Sequence, residues 1–301
     1  MTINMKHVTY NTPLVSIILP VHNGARYIEH ALDSIIAQTY RHWKLIVVND
    51  GSTDETGQIL SDYAKKDSRI NIVTMKKPRG ISKALNRGVK QAKGLYIARM
   101  DADDISYPKR LEKQVKYLQK HQYVVAVGTQ CDIIDADGRV TGVKMFPVKS
   151  QDIYNTVFRF NPLQHPTLMI DRTLLPKGFV FYDDLDGAED LNLLFKLFPY
   201  GKVENLRDHL LAYRIHGENS SLKHIKKIYM QALTARIRGV LRHGYVPSAK
   251  SVCLTIAQTL IIAILPERVI RPLYFYARGI KASISTKAKQ GIKILPAFLR
   301  G

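Results

Sequence analysis

In GLYIARMDADDISYP, residues 94–108, a mostly apolar run ends in three carboxylates within four positions, Asp101, Asp103 and Asp104. Residues 94–100 read as a short β-strand entering a core, because a brief apolar run bounded by a glycine and a polar cluster suits a strand covered on both faces. The acids then crowd at a strand end, in a chain whose formal charge is +20. Like charges this close repel one another, so something must compensate them.

The same alternation extends upstream. Residues 14–20 (LVSIILP), 44–50 (KLIVVND) and 70–75 (INIVTM) read as further strands. Residues 27–39, 54–66 and 81–93 read as helices between them. The first carries Ile28, Ala31, Leu32, Ile35 and Ile36 at helical spacing, Asp54 is placed to cap the second, and Gly94 ends the third. Strand and helix in alternation predict an α/β fold with a mostly parallel central sheet and flanking helices. Ligands in such sheets bind beyond the carboxyl ends of the strands. Three strand ends carry distinctive polar segments: PVHNG at 20–24, NDGSTD at 49–54 and MDADD at 100–104. The topology brings all three to one edge. Downstream, the pattern predicts a helix over 108–120, a strand over 124–128, a turn at 135–138, a strand over 165–170, a helix over 188–198 and a strand over 210–216.

With 301 residues, 46% hydrophobic and 23% charged, the chain holds enough apolar material for a sizeable core without disulfide staples. Cys131 and Cys253 lie far apart and form no metal-ligand spacing, which fits a reducing compartment. The opening MTINMKHVTYNTP contains no apolar signal-peptide core. Charge is uneven: residues 222–301 hold 15 Lys and Arg against one acid, Glu267, a net of +14, while residues 1–221 carry a net of +6.

Within that basic region, residues 221–244 place Ile225, Ile228, Tyr229, Leu233, Ile237, Val240 and Leu241 on one helical face. Lys226, Lys227, Arg236 and Arg238 fall mostly elsewhere, the pattern of an amphipathic helix lying on an anionic membrane. Residues 252–265 form an apolar run broken by Thr and Gln. At ~1.5 Å per residue it reaches ~21 Å, short of a ~30 Å hydrocarbon core, so an interfacial or packed helix is expected. The expected division is a catalytic region over 1–220 and a basic amphipathic helical region over 221–301 that touches the membrane surface.

Two carboxylates two positions apart beside a strand end suit a divalent cation that prefers hard oxygen ligands, Mg²⁺ or Mn²⁺. Such a cation removes the repulsion and binds nucleotide phosphates. For this segment taken alone, a solvated acidic turn before the helix at Pro108 is the alternative.

Four segments in order, PVHNG, NDGSTD, MDADD and AED at 188–190, resemble the nucleotide-sugar glycosyltransferases of family 2, over roughly residues 13–220. The resemblance implies the GT-A fold and a metal-dependent inverting transfer from a nucleotide sugar, most naturally a UDP-sugar. It implies that the backbone at Pro20, Val21 and Asn23 cups the nucleobase and ribose, and that Asp50 accepts from a uracil N–H. Arg79 and Ser82 would lie beside the base and phosphates. Asp101 would touch the ribose, and Asp103 would ligate Mn²⁺ or Mg²⁺. Asp190 would be the general base, with Glu189 orienting the acceptor and His165 lining its pocket. His216, in YRIHGENSS, would complete the metal shell or touch the diphosphate, and Arg214 would pair with phosphate.

There is no Q-x-x-R-W segment and no run of transmembrane helices, so addition of one sugar is expected rather than processive growth. With the basic tail, the resemblance implies a lipid-linked saccharide acceptor in lipopolysaccharide O-antigen or capsule synthesis. The expected location is the cytoplasmic face of the bacterial inner membrane, held peripherally. A nucleotidyltransferase is a rival reading, but it usually opens with a Gly-rich basic loop, which PVHNGARY lacks. A nucleic-acid-binding protein would also suit the positive charge, with Tyr229, Tyr245, Tyr274, Phe275 and Tyr276 in the tail. Nucleic acid is not the expected partner.

Overall fold

Strand β1 (Val15–Val21) has all seven side chains buried. Its two neighbours, β2 (Trp43–Asn49) and β4 (Tyr96–Arg99), both run parallel to it, and β3 (Ile70–Thr74) extends the parallel set beyond β2. This computed structural model describes residues 12–216 and 225–270. Past β4 the sheet turns mixed. β8 (Met169–Asp171) runs antiparallel between β4 and β6 (Val124–Ile134), β9 (Lys202–Arg214) is parallel to β6, and the two-residue β5 (Ile105–Ser106) closes the edge. The strand order is β3-β2-β1-β4-β8-β6-β9-β5, with β7 (Val140–Lys144) paired to β6 off this path.

Side-chain alternation along the central strands divides the core into two layers. Ile17, Leu19, Leu45 and Val47 meet Ile28 and Leu32 of α1 (Ile28–Ile36), Leu60 of α2 (Thr56–Lys66) and Leu111 of α4 (Arg110–Lys120). Ile18, Ile46 and Val48 meet Leu85 of α3 (Ile81–Gln91), Val157 of α5 (Ser150–Val157) and Leu194 of α6 (Glu189–Leu197). Each large aliphatic side chain so buried contributes about 1.5–3 kcal/mol. Covering both faces fixes the sheet and points its strand ends, with their polar loops, at one open edge.

Described residues after 225 share this second layer. Ala235 of α7 (Ile225–His243) and Tyr245 belong to it, and the Tyr245 ring lies 5.0 Å from Phe195 and 5.8 Å from Phe158. Gly239 lets α7 approach α6 closely, since a Cβ there would stand 2.6 Å from the Phe195 ring. This contact chooses the side of α7 that faces inward. Of the apolar face expected on a membrane, Ile225 and Tyr229 are buried against the protein and Ile237, Val240 and Leu241 are exposed, while Ala235, Arg236 and Gly239 face inward. Arg236 is carried inward and donates to the Arg159 carbonyl at 2.7 Å. Helix α8 (Ala249–Ile264) follows. Among the described residues, no helix is long and apolar enough to cross a membrane. Residues 221–224 of the helix expected over 221–244, and the part of the basic region beyond residue 270, lie outside the described residues.

Most differences from the expected elements concern polar residues inside strands. The strand expected over 124–128 runs on to Ile134 because Gln130 is satisfied in the interior: it donates to the Leu206 carbonyl at 2.8 Å and accepts from the Phe146 N–H at 2.6 Å. β9 begins at Lys202 rather than 210: Lys202 and Arg207 are exposed, and Asn205 is buried but donates to the Pro147 carbonyl at 2.7 Å. The stretch at 165–170 splits into a 3₁₀ turn over His165–Thr167 and the short β8. Gly239→Val should lower stability by about 1–3 kcal/mol through overpacking against Phe195, whereas Leu241→Asn on the exposed side should change it by less than about 0.5 kcal/mol. Urea unfolding of the full chain measures both.

Candidate active site

At the open edge, the loops after β1 and β2 are sewn together. The Asn23 side-chain oxygen accepts from the Thr53 N–H at 2.8 Å, the Asn23 N–H donates to Ser52 Oγ at 2.9 Å, and the Ala25 N–H donates to Asp54 at 3.1 Å. Asn23 adopts a left-handed φ of 50°, which Asn tolerates well. Pro20 and Val21 are buried at the end of β1, directly beneath this loop pair. Asp50, itself buried, accepts from the backbone N–H of Arg79 at 2.8 Å and of Gly80 at 3.0 Å. Each of its oxygens keeps a further lone pair for a ligand. Arg79 is exposed and engages Asp50 through its backbone.

The acidic loop after β4 rests on three buried arginines. Arg99, one residue before Met100, forms an ion pair with Asp101. Arg110 of α4 donates to the Arg99 carbonyl at 2.7 Å and so fixes the strand end. Arg214, at the end of β9, donates its backbone N–H to Asp104 at 2.9 Å and its Nε to the Asp103 carbonyl at 2.8 Å. Its Nη1 also donates to the carbonyls of Asp135 and Ala136, each at 3.1 Å. Arg214 is therefore a brace under the acidic loop, 1% exposed, and not the open phosphate ligand expected of it. The side chain is long enough to span from β9 to two loops, and backbone carbonyls claim its donors first.

Asp101, Asp103 and Asp104 each bring an oxygen within 4.8 Å of the others. Burial, then the neighbouring acids, push the Asp104 carboxyl well above the usual range. Burial also pushes Asp101 up, against the pull of Arg99. One oxygen of Asp104 is buried without a hydrogen-bond partner. His216 places Nε2 2.9 Å from Asp103, and its ring lies 5.0 Å from Tyr27. Three carboxylates, an unpartnered buried oxygen and an imidazole form a donor set that fits a small hard divalent cation.

A second acid pair begins α6. Asp190 accepts from Asn161 Nδ2 at 2.6 Å and is half-buried, and its charge acts on Asp101, so the two acid groups are neighbours. Glu189 is 7% exposed and accepts from the Gly187 N–H at 2.7 Å. Burial, then Asp190, push its carboxyl up to about 8. His165 lies 3.9 Å from Glu189 through Nδ1 and 3.2 Å from the Tyr182 hydroxyl through Nε2. Burial, then Arg99, hold this imidazole well below its ordinary range, so it is neutral at pH 7.

The segment leading to the acid pair is fastened across the fold. Asn86 of α3 donates to the Tyr182 carbonyl at 2.6 Å and accepts from its N–H at 3.2 Å. Asp183 accepts from Lys196 at 2.7 Å and from Asn192 at 2.9 Å, both on α6. Asp186 accepts from the Ser82 N–H at 2.9 Å, capping α3 from 104 residues away. Ser82, expected beside the base and phosphates, gives its backbone N–H to Asp186, while its buried Oγ has no hydrogen-bond partner. Gly80, at φ 91°, leaves the room, since a Cβ there would collide with the Asp186 carboxylate. Because Gly80 also serves Asp50, one short path joins Asp50 to the segment just before the acid pair.

The structure thus brings together Asp101, Asp103 and His216 in one group and His165, Glu189 and Asp190 in a neighbouring one. Arg99, Asn161, Tyr182 and Asp186 escaped the sequence reading. Only Arg99 left a signal there, as a charge inside an apolar strand next to crowded acids; the other three act through distant partners. Asp186→Ala should cost about 0.5–2 kcal/mol, as loss of a helix cap does, and should raise KM for the donor. Denaturant unfolding and steady-state kinetics read the two effects, and Asp186→Ser should restore part of each.

Comparison with known proteins agrees with this geometry. The family model "Glycosyl transferase family 2" matches residues 16–177. An uncharacterized glycosyltransferase of Haemophilus influenzae is 34% identical over 220 residues, covering 70% of this chain and 68% of its own length. The O-antigen biosynthesis glycosyltransferase WbnJ of Escherichia coli is 33% identical over 212 residues, covering 69% of this chain and 82% of its own. Among solved structures, S. aureus TarS 1-349 in complex with UDP superposes with a TM-score of 0.62 at 21% identity, covering 82% of this chain and 70% of that one. The mannosyltransferase PcManGT of Pyrobaculum calidifontis, in complex with GDP-Man and Mn²⁺, gives 0.58 at 21% identity, covering 91% and 87%. A chain with this match and these relatives belongs to glycosyltransferase family 2, with the GT-A fold.

Proposed function

We propose that this glycosyltransferase adds one sugar, with inversion and with a divalent cation, from a UDP-sugar to a lipid-linked glycan of O-antigen or capsule synthesis. It would work at the cytoplasmic face of the bacterial inner membrane as a peripheral protein. The observation that carries this reading is the nearness of two acid groups, Asp101–Asp103–Asp104 and Glu189–Asp190, whose charges act on one another. TarS bound to UDP and PcManGT bound to GDP-Man and Mn²⁺ support a nucleotide-sugar donor and a metal. WbnJ supports an O-antigen pathway.

In this reading the base rests between the β1 and β2 loops, with Asp50 accepting from its N–H. Asp103 and His216, with Asp101 and Asp104 beside them, would hold Mn²⁺ or Mg²⁺, whose charge stabilises the departing diphosphate. Asp190 takes the proton of the acceptor hydroxyl on the opposite face of the sugar. Asn161 fixes the orientation of that carboxylate at 2.6 Å. Glu189 keeps its proton at pH 7, so it can donate a hydrogen bond to the acceptor, and the neutral His165 adds a polar wall without a competing charge.

Release of free nucleoside diphosphate from a panel of nucleotide sugars, with and without Mn²⁺, tests the reading; release of pyrophosphate instead would point to nucleotidyl transfer. Asp190→Asn should lower kcat by about 10²–10⁴-fold, the usual contribution of a general base, while UDP still binds. Asp103→Ala should abolish the metal-dependent rate with the fold intact by circular dichroism. Glu189 gives a pH signature. Its folded pKa of about 8 exceeds the ordinary carboxylate value, so the folded state binds the extra proton and stability falls as pH rises toward 8. Melting curves should show this decline in the wild type and a flatter profile in Glu189→Gln.

A further inference from the structure

Helix α8 is packed inside out. Its buried residues are Ser251 and Thr255, and Thr255 donates to the Phe158 carbonyl at 3.2 Å. Thr259, one turn on, lies 2.7 Å from the Tyr229 hydroxyl. The hydroxyl side thus faces the protein. The opposite side turns Leu254, Ile256, Leu260, Ile261 and Ile264 to solvent, with exposures of 45–78%. A surface helix in water normally shows the reverse arrangement, and a continuous apolar face of this kind marks an interaction surface.

Charge identifies what covers it. Lys250 is the one charged residue in α8, and exposed Arg242, Glu267 and Arg268 flank the helix, with Glu267 accepting from the Lys226 N–H. The chain from 222 onward carries 15 basic residues against one acid. A second copy would set Arg242, Lys250 and Arg268 against the same three cations, which opposes self-pairing. An anionic lipid surface complements both features, taking the aliphatic side chains among its acyl chains and the cations among its phosphates. The 16-residue helix is too short to span, so it lies in the plane of the interface.

We propose that the outer face of α8 is the membrane-docking surface, seated on anionic phospholipid. This rests on the membrane-side reading of the function for its purpose, and vesicle binding is scored without reference to sugar transfer, so failure of one is distinct from failure of the other. Because α7 packs on α6, docking at α8 would hold the Glu189–Asp190 pair at a fixed height above the lipid headgroups.

Flotation of the full chain with vesicles of phosphatidylethanolamine and phosphatidylglycerol, against phosphatidylcholine alone, tests the proposal. The wild type should float with the anionic vesicles. A Leu260→Glu, Ile261→Glu, Ile264→Glu variant should lose at least about tenfold in partitioning, as charges placed in hydrocarbon do, with its melting temperature unchanged. Should that variant fold poorly, Ile264→Trp serves instead, and its added indole emission should shift to the blue on mixing with anionic vesicles. No flotation of the wild type, equal flotation of the triple variant, or an unshifted indole emission from Ile264→Trp overturns the proposal. So does a variant that changes a dimer to a monomer in sedimentation while vesicle binding stays the same.

Discussion

Three carboxylates crowded at the end of a buried strand set the main constraint on this molecule. Left to themselves they would repel one another and the loop would open. The protein answers with cations beneath them rather than with solvent. Arg99 pairs with Asp101, Arg110 holds the strand end through the Arg99 carbonyl, and Arg214 braces the loop from β9. Burying three guanidinium groups is expensive unless each finds partners, and two of the three spend donors on backbone carbonyls of the site. The cations therefore shape the loop, while the carboxylate oxygens stay turned toward one another, which is the arrangement a divalent ion requires.

The same logic extends to the second acid pair. Glu189 and Asp190 stand adjacent at the start of α6, where the helix N-terminus favours negative charge. Burial nevertheless separates them: Glu189 is enclosed and pushed up to about 8, and Asp190 remains half-open with Asn161 on its carboxylate. Two neighbouring acids thereby sit in different surroundings, one enclosed and one half-open. Their segment is tied to α3 by Asn86 and Ser82 and backed by α7, so the two halves of the site are not independent.

The parallel half of the sheet was legible in the sequence because its strands are short, continuous apolar runs and its helices carry a clean 3.6-residue period. The acid groups were legible as short local motifs. What stayed hidden depends on long-range partners. Gln130 looks like the end of a strand until the Leu206 and Phe146 backbones are beside it. Asp186 looks like a turn residue until Ser82 arrives from 104 residues away. Arg214 is set against phosphate by its motif position, and the fold turns its donors onto the carbonyls of Asp103, Asp135 and Ala136. The apolar face of α7 is legible as a period, but which side packs on the protein is not: Ile225 and Tyr229 are buried with Ala235 and Gly239, because Gly239 and Phe195 decide it.

The central claim is that the acidic loop exists to hold a divalent ion against a nucleotide diphosphate. Calorimetric titration of UDP into the full chain, with Mn²⁺ and then with EDTA, measures it most directly. Binding that appears with the metal, vanishes with the chelator and is absent from Asp103→Ala is the expected result. Equal UDP affinity in Mn²⁺ and in EDTA would contradict it.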